Sequence, residues 1–448
     1  MSSQIPDVSE IRARALEKLG RRPCLWQCDV ARALLKGDRD IVCISGTGSG
    51  KTLTFWMPLL FRPDGIQIII TPLNLLGVQN QYELARLKIP AIAICGESAS
   101  LENFKAAGTL SHGVVVLNPE LAFGHSLCQE WIWKNPSFTS RIISIIWDEA
   151  HCVKTWGKFR PDLATSGRLR GMLPPNTPYL IPSATLPPPD KADVLNILQA
   201  RQQNLLLIQR SNDRPNVYLT VRKLQYATSS FQDLDFLIPA DWTPARSDIR
   251  IPRFVIFFDN IEESIKAAER LRKRLTRDFC DRVVWFNSDN TPEFREETTS
   301  EFRDHKLYGL YCTDSFGMGV DIADIEIIVQ WRVTCSMNAL WQRFGRAARG
   351  AGKEAIAVLL VEPKYFDDEK ELASQRAEKR REAEERRAMQ REAAKRKRDG
   401  SVSAPAPHRA PKKARVTQPP QAREGAAGNK VCTETFFAKG GLKNLLVI

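Results

Sequence analysis

Residues 40–60 constrain the fold of this 448-residue chain more than any other stretch. An apolar run, DIVCIS (40–45), leads into SGTGSGKT (45–52), and a helix-compatible run, TLTFWMPLL (52–60), follows at once. Glycines between a strand and a helix let backbone N–H groups converge on a phosphate at the helix N-terminus. Lys51 would add charge on the β- and γ-phosphates, and the Thr52 hydroxyl would bind magnesium. The segment predicts a nucleotide-binding loop, whose other members are Thr47, Gly48, Ser49 and Gly50.

This loop departs from the usual G-x-x-x-x-G-K-[ST] pattern at one position, because Ser45 stands where the pattern has glycine. A Gly/Ser-rich turn with a purely structural role is the alternative interpretation. The strand before the loop and the helix after it favour nucleotide binding.

The order of the apolar runs predicts the fold class. Six runs alternate with helix-like segments in the first half: 40–45, 65–72, 91–96, 113–118, 142–150 and 178–185. Five more follow a polar stretch at 209–216: 254–259, 283–288, 308–313, 325–331 and 354–362. Strands that alternate with helices indicate parallel sheets in an α/β fold. We therefore predict two tandem α/β domains, residues 1–210 and 211–364.

A pair of carboxylates ends one of these buried runs. IISIIW (142–147) is followed by Asp148, Glu149, Ala150 and His151. In a phosphate-loop fold, Asp148 would hold the magnesium hydration shell, and Glu149 would orient and deprotonate the water that attacks the γ-phosphate. The alternative is an ordinary exit of a buried strand into solvent.

Composition narrows the cellular context. The N-terminus lacks an apolar signal-peptide core, and no run reaches the roughly 18 apolar residues of a membrane span, so we expect a soluble, intracellular protein without a membrane partner. The ten cysteines are scattered, which indicates reduced thiols, and no zinc is expected. A net charge of +13 suggests nucleic acid as an anionic partner.

Much of that charge lies near the C-terminus. Residues 364–430 contain 19 Lys/Arg against 11 Asp/Glu. We predict a charged helical segment at 365–398 and a largely disordered, Pro/Ala-rich tail at 399–448. Two basic clusters, at 395–398 and 412–415, resemble a bipartite nuclear import signal and predict a nuclear protein. A merely solvated basic tail is the alternative.

Several stretches together resemble the RecQ family of superfamily 2 helicases. They include DEAH (148–151) with the aromatic-rich loop CVKTWGKFRP (152–161), PLNLLGVQNQ (72–81), SAT (183–185), SNDRPN (211–216), TDSFGMGVD (313–321) and QRFGRAARG (342–350). The resemblance implies two RecA-like domains with an ATP cleft between them. It covers roughly residues 12–362.

The resemblance also implies roles for particular residues. ATP and Mg²⁺ would be the cofactors, and Gln27 would read the adenine, although Cys24 stands where the family usually has an arginine. Arg346 and Arg349 would stabilise charge on the γ-phosphate. The cleft would be completed from the second domain by Gln342, Gly319 and Asp321.

The aromatic-rich loop is the expected nucleic-acid sensor. Trp156 and Phe159 would stack on or near bases, and Lys154, Lys158 and Arg160 would contact phosphates. His151, Ser183 and Thr185 would couple the nucleotide state to this loop. Packing of the two aromatic rings beneath the loop is the alternative.

The resulting expectation is a 3′–5′ DNA helicase or translocase whose ATP hydrolysis is stimulated by DNA, acting in recombination and repair on single-stranded and partially duplex DNA. The alternatives are an RNA-directed superfamily 2 helicase and a truncated nucleic-acid-binding protein without effective unwinding. The family's zinc module and winged helix are not recognised after residue 362, so we expect weak unwinding relative to ATP hydrolysis. The sequence leaves the oligomeric state open.

Overall fold

The computed structural model describes residues 4–72, 74–109, 111–157, 160–243, 245, 250–316 and 322–399. The tail predicted to be disordered therefore lies outside the described residues from 400 onward. None of the described helices is long and apolar enough to cross a membrane.

Seven strands form the first sheet. They are β1 (Asp40–Ile44), β2 (Ile66–Ile70), β3 (Ala91–Ile94), β4 (Val114–Leu117), β5 (Ile142–Trp147), β6 (Tyr179–Ser183) and β7 (Leu205–Gln209). Their order across the sheet is β3-β4-β2-β5-β6-β1-β7, and all of these pairings are parallel. Because β5, β6 and β1 are neighbours, the segments that follow their carboxyl ends meet at one edge of the sheet.

Among the described residues, eleven α-helices accompany this sheet. They are α1 (Val8–Leu19), α2 (Leu25–Lys36), α3 (Lys51–Trp56), α4 (Asn74–Arg86), α5 (Leu101–Gly108), α6 (Pro119–Gly124), α7 (Ser126–Cys128), α8 (Pro136–Thr139), α9 (His151–Trp156), α10 (Pro161–Ala164) and α11 (Pro188–Ile197). The sheet packs on both faces, because successive residues of a strand point to opposite sides. Ile68 and Ile70 lie in one hydrophobic core, and Ile69 between them lies in the other.

Six strands form the second sheet. They are β8 (Val217–Lys223), β9 (Phe254–Phe257), β10 (Val283–Phe286), β11 (Gly309–Cys312), β12 (Ile327–Trp331) and β13 (Ala355–Val361), in the order β10-β11-β9-β12-β13-β8. The pairs β10–β11, β11–β9 and β9–β12 are parallel. The helices between these strands are α12 (Ile261–Arg272), α13 (Arg277–Cys280), α14 (Pro292–Arg303) and α15 (Met337–Phe344). The predicted α/β class with two tandem parallel-sheet domains is confirmed.

Two strands were missed by the sequence analysis, and both are edge strands. β7 and β8 flank the polar stretch 209–216, and most of their residues are exposed or half-buried. An edge strand buries less of its surface than a central strand, and β8 accordingly mixes polar and apolar residues. β7 (LLLIQ) was missed although it contains a short apolar run.

The chain divides into two compact units. The first comprises Met1–Leu219 and Asp235–Val358, and it contains every site residue discussed below. The second comprises Thr220–Leu234 and Leu359–Ile448, and its main described element is α16 (Asp367–Asp399). Within it, Lys223 forms ion pairs with Asp368 and Glu369 at the start of α16. The domain boundaries predicted from the sequence stay predictions.

Candidate active site

The phosphate-binding loop follows β1 and ends at α3, as predicted. Gly48 and Gly50 have positive φ angles of 74° and 80°, a conformation that favours glycine. The Lys51 ammonium donates to the backbone carbonyls of Ser45 (2.8 Å) and Gly46 (3.1 Å), so it lies inside the loop. Burial lowers the pKa of Lys51, and the nearby Glu149 and Asp148 carboxylates oppose that shift.

The serine at position 45 is accommodated by a neighbour within the loop. Its side chain is buried, and its Oγ lies 2.9 Å from Oγ of Ser49. The hydroxyl that replaces the usual glycine therefore has a hydrogen-bond partner. The departure from the usual pattern leaves the strand, loop and helix arrangement intact.

Gln27, on α2, is held against the same loop. Its amide nitrogen donates to the carbonyl of Gly50 (2.9 Å), and its amide oxygen accepts from the backbone N–H of Cys24 (2.7 Å). The loop approaches so closely that a Cβ at position 50 would lie 2.8 Å from this amide nitrogen. Gln27 thus lies beside the loop, and its reading of adenine stays a prediction.

Asp148 and Glu149 follow β5 at the same sheet edge. The backbone N–H of Glu149 donates to Asp148 Oδ1 (3.0 Å), and Glu149 has a positive φ of 50°, which is strained for a residue with a side chain. Burial and the adjacent Glu149 charge raise the pKa of Asp148 to about 7. Burial also acts to raise the pKa of Glu149, but the charges of His151, Lys51 and Arg346 outweigh it and lower the pKa.

His151 connects the carboxylates to a second motif. Its Nδ1 lies 3.3 Å from Glu149 Oε2 and 3.3 Å from Oγ of Ser183, the last residue of β6. Burial acts to lower the pKa of His151, but its contacts with Cys152 and Glu149 outweigh burial and raise it. Because Cys152 itself has a raised pKa and remains a neutral thiol, we assign the charge interaction to Glu149.

The second-sheet domain reaches this cluster through α15. The amide nitrogen of Gln342 lies 3.0 Å from His151 Nε2 and donates to Thr185 Oγ1 (3.1 Å). One turn further on, the carbonyl of Gly345 accepts from Thr47 Oγ1 (3.0 Å) in the phosphate-binding loop. The structure thus brings together His151, Ser183, Thr185 and Gln342, four residues singled out from the sequence.

Arg346 and Arg349 lie in the turn that follows α15. Arg346 is buried and close enough to Glu149 for its charge to lower the pKa of that carboxyl group. Arg349 donates through Nε to the Gly345 carbonyl (3.1 Å), and its charge contributes to the lowered pKa of Lys51. Arg346 therefore lies near Glu149 and Arg349 lies near Lys51, two residues expected to act at the γ-phosphate.

The comparisons with known proteins agree with this geometry. The DEAD/DEAH box helicase family matches residues 25–194, and the family described as helicase conserved C-terminal domain matches residues 245–351. The chain is 27% identical over 352 residues to the "Probable ATP-dependent DNA helicase RecS" of Bacillus subtilis, covering 77% of this chain and 65% of that protein. It is 26% identical to the "ATP-dependent DNA helicase RecQ" of Haemophilus influenzae, covering 75% of this chain and 51% of that protein.

The chain carries the two superfamily 2 helicase domains and is similar to RecQ-type helicases. This assignment rests on the two matched domains in the expected order and on the RecQ-type relatives. The chain spans about a third to two-thirds of the length of these relatives, with 32% for the rat "ATP-dependent DNA helicase Q5" and 65% for RecS.

Solved helicase structures share the fold of this chain. "Crystal Structure of DUF1998 helicase MrfA bound to DNA" superposes with a TM-score of 0.64 at 17% identity, covering 82% of this chain and 52% of that chain. A structure of Mss116p superposes with a TM-score of 0.62 at 18% identity, covering 82% of this chain and 76% of that chain. These similarities confirm the two RecA-like domains.

The residues predicted to sense nucleic acid have a different environment from the one expected. Lys154 forms ion pairs with Asp190 (2.6 Å) and Asp193 (2.7 Å) of the α11 region. Arg160 donates through Nε and Nη2 to the two carboxylate oxygens of Glu120. Two of the three predicted phosphate contacts are thus engaged by carboxylates, which the sequence could not reveal because their partners are distant along the chain.

Trp156, at the end of α9, is half-buried and packs against the core of the first sheet. The Arg160 guanidinium lies 5.4 Å from the centre of its ring. This environment agrees with the packing alternative for Trp156. Lys158, Phe159, Gly319 and Asp321 lie outside the described residues.

Sequence reasoning missed two further residues of the helicase site, both in the SNDRPN stretch. Arg214 donates to the carbonyls of Gly345 (3.3 Å), Ala347 (2.8 Å) and Ala348 (3.0 Å). Asn216 donates to the same Ala348 carbonyl (2.9 Å). The sequence signal for these two residues is the stretch itself, in which an arginine precedes a proline between the two predicted domains.

A cleft of ≈ 520 Å³ lies beside these residues. It is lined by the phosphate-binding loop, by the linker residues from Ser211 to Asn216 and by the segment from Ala348 to Glu354. Of this lining, the sequence assigned only the phosphate-binding loop and Arg349 to nucleotide binding. The linker, with Arg214, was not assigned to it.

Proposed function

We propose that this chain is an ATP-dependent 3′–5′ DNA helicase or translocase of the RecQ type that acts in recombination and repair, with DNA stimulating its ATP hydrolysis. The contact of Gln342 with His151 and Thr185 carries this proposal, because it joins the motif after β5, the motif after β6 and the second-sheet domain in one cluster. The RecQ-type relatives, named as DNA helicases, support DNA as the substrate.

Magnesium fits the residues at the sheet edge. The Asp148 carboxylate, whose burial disfavours its charge, and the Thr52 hydroxyl offer the oxygen ligands that Mg²⁺ prefers. When bound with ATP, the ion would neutralise charge on the β- and γ-phosphates. Asp148 and Thr52 would hold it, with Lys51 adding its own charge on the phosphates.

Glu149 supplies the base in this mechanism. Its lowered pKa keeps the carboxylate ionised at neutral pH, so it can accept a proton from the attacking water. His151 holds the same carboxylate at 3.3 Å and thereby reduces its basicity. Because His151 also contacts Gln342, a movement of the second-sheet domain would shift His151 away from the carboxylate and so switch hydrolysis on.

Two substitutions test the hydrolytic assignment. Lys51→Ala removes a positive charge from the loop and should weaken ATP binding. Glu149→Gln removes the base and should retain ATP binding while abolishing turnover. Binding of a fluorescent ATP analogue and ATP turnover, each with and without oligothymidine, provide the two readouts. Turnover at the wild-type rate in Glu149→Gln would show that another group is the base.

The substrate class is tested with matched nucleic acids. We expect single-stranded DNA to stimulate ATP turnover more than RNA of the same length and composition. Polarity is read from displacement of a labelled strand from duplexes with a 3′ or a 5′ overhang. Preferential stimulation by RNA would favour an RNA-directed enzyme, and binding without any stimulated turnover would favour a nucleic-acid-binding protein.

We also propose a nuclear location on the basis of the two basic clusters at 395–398 and 412–415. Replacing the cations of both clusters by alanine in a tagged protein should leave it outside the nucleus. A control variant with the four acidic residues at 367–369 and 371 replaced by their amides should accumulate like the wild type. Undiminished nuclear accumulation of the cluster variant would contradict the proposal.

A further inference from the structure

The long helix α16 is exposed along nearly its whole length. It has 33 residues, which corresponds to about 50 Å, and every residue from 370 to 394 is exposed. Its two large apolar side chains in that range, Leu372 and Met389, are 43% and 71% exposed. Because it has no apolar stripe, packing against a hydrophobic core does not explain why the helix is there.

Four arginines and most of the acidic residues in the exposed part of α16 lie on opposite faces of the helix, and the remaining cations, Lys370, Lys379, Arg381 and Arg386, lie on the flanks between these two faces. Successive residues of an α-helix are rotated by about 100°, so Arg376, Arg380, Arg387 and Arg391 fall within an arc of about 60°. Most acidic residues of the exposed stretch fall within an arc of about 80° centred on the opposite side: Glu371, Glu378, Glu382, Glu385 and Glu392. Glu384, near the edge of the basic arc, is the exception.

This distribution of charges differs from that of helices that bind membranes or form coiled coils. A membrane-surface helix needs a wide apolar face, and a coiled coil needs apolar residues at two positions of every heptad. The basic face has neither a wide apolar surface nor a heptad pattern. Besides its arginines it carries the small residues Ala383 and Ala394. It presents an arginine about every 6–10 Å along the axis, a row of planar guanidinium groups suited to phosphates.

We propose that the basic face of α16, defined by Arg376, Arg380, Arg387 and Arg391, binds the sugar–phosphate backbone of nucleic acid. It is a contact additional to those that the proposed function requires, and it lies in the second compact unit. The acidic face on the opposite side repels a phosphate backbone, so a bound strand is favoured on the basic face and its flanks. The inference rests on the proposed function only in taking nucleic acid, rather than another polyanion, as the partner.

The binding is expected to be independent of sequence and strongly dependent on salt. Each phosphate neutralised on a single strand contributes about 0.7 to the slope of log K against log salt concentration. Four arginine contacts would therefore contribute about 3 to that slope. Because the slope is proportional to the number of phosphate contacts, a change in slope on mutation measures the contacts made by the arginine face alone.

The test uses the full chain and an oligothymidine of about 20 nucleotides. The variant Arg376→Gln, Arg380→Gln, Arg387→Gln, Arg391→Gln should bind more weakly at about 50 mM salt, with its slope reduced by about 3. The matched control, Glu371→Gln, Glu378→Gln, Glu382→Gln, Glu385→Gln, should bind at least as tightly as the wild type. Ala383→Pro keeps every charge but interrupts the helix, so it should lose part of the slope.

Three results would overturn the proposal. They are an unchanged slope in the arginine variant, an equal loss of affinity in the glutamate control, and a loss of self-association rather than of DNA binding, measured by sedimentation. Circular dichroism of each variant checks that helix content is retained, except in Ala383→Pro. The basal ATPase should be unchanged in the arginine variant. If the wild-type protein had no ATPase activity and the arginine variant still showed the expected reduction in slope, the proposed function would be contradicted but this inference would stand.

Discussion

At the scale of single residues, Gly345 lies where the two sheet domains come close together. A Cβ at this position would lie 2.2 Å from Thr47 Oγ1 and 3.2 Å from Thr47 Cβ. Contacts below 3.0 Å force one side to move, and both sides here carry candidate nucleotide-binding residues. The absence of a side chain at position 345 is therefore a requirement of the closed arrangement.

Gly345→Ala should separate the phosphate-binding loop from the turn after α15 and lower kcat by roughly 10-fold or more, since a displacement of about 1 Å can cost 100-fold. Adding Thr47→Ala removes the clashing hydroxyl and should restore part of the loss. ATP turnover of the two single variants and the double variant forms the test cycle. Purely additive losses would show that the two residues do not meet during turnover.

Arg343 is a second residue whose importance only the structure reveals. Its side chain is 3% exposed and pairs with Asp259 (2.6 Å) and Asp314 (2.8 Å). Burial acts to raise the pKa of Asp259, but the Arg343 hydrogen bond and charge outweigh it, so this pKa is lowered. The sequence suggested no role for Arg343 within QRFGRAARG, because nothing in the linear pattern places two distant carboxylates beside it.

At the scale of elements, the turn after α15 is held in a strained conformation. Ala348 has a positive φ of 43°, and its carbonyl accepts from both Arg214 and Asn216. Such strain persists only where the surroundings enforce it. Arg214 and Asn216 thus fix the direction in which Arg346 and Arg349 leave the turn.

Arg214→Ala should lower kcat by about 10- to 100-fold, because loss of hydrogen bonds from a charged donor costs about 1.5–3 kcal/mol. Arg214→Lys should rescue little, since an ammonium group cannot span three carbonyls as a guanidinium does. Arg210→Ala, at an exposed position in the same linker, is the matched control. A fall in melting temperature with kcat unchanged would instead indicate a role in folding alone.

The elements differ in how far the sequence could predict them. Eleven strands were predicted because they are continuous apolar runs, and these include the edge strands β3 and β10. The half-exposed edge strands β7 and β8 were missed. The loop at 45–52 and the carboxylates at 148–149 were found because they are contiguous in sequence. The ion pairs of Lys154 and Arg160 could not be found, because their partners lie about 40 residues away.

At the scale of the whole molecule, Gln342 connects the second-sheet domain to His151 and Thr185, beside the candidate catalytic carboxylates. Gln342→Ala should leave the KM for ATP nearly unchanged and lower DNA-stimulated kcat by roughly 10-fold, since it removes the hydrogen bond to Thr185, worth about 0.5–1.5 kcal/mol, and the contact with His151. Gln232→Ala, at an exposed glutamine, is the control. If basal and stimulated turnover fell equally, Gln342 would act in the chemistry rather than in coupling.

The positive φ of Glu149 also bears on how this chain can change under selection. Glycine adopts that conformation without strain, and asparagine tolerates it better than glutamate does. A library of variants at position 149, screened only for survival of heating, should therefore become enriched in Gly and Asn. The same library, screened for ATP turnover, should return Glu. The two screens would pull this position in opposite directions, and the identity of residue 149 in a descendant would show which of them had acted.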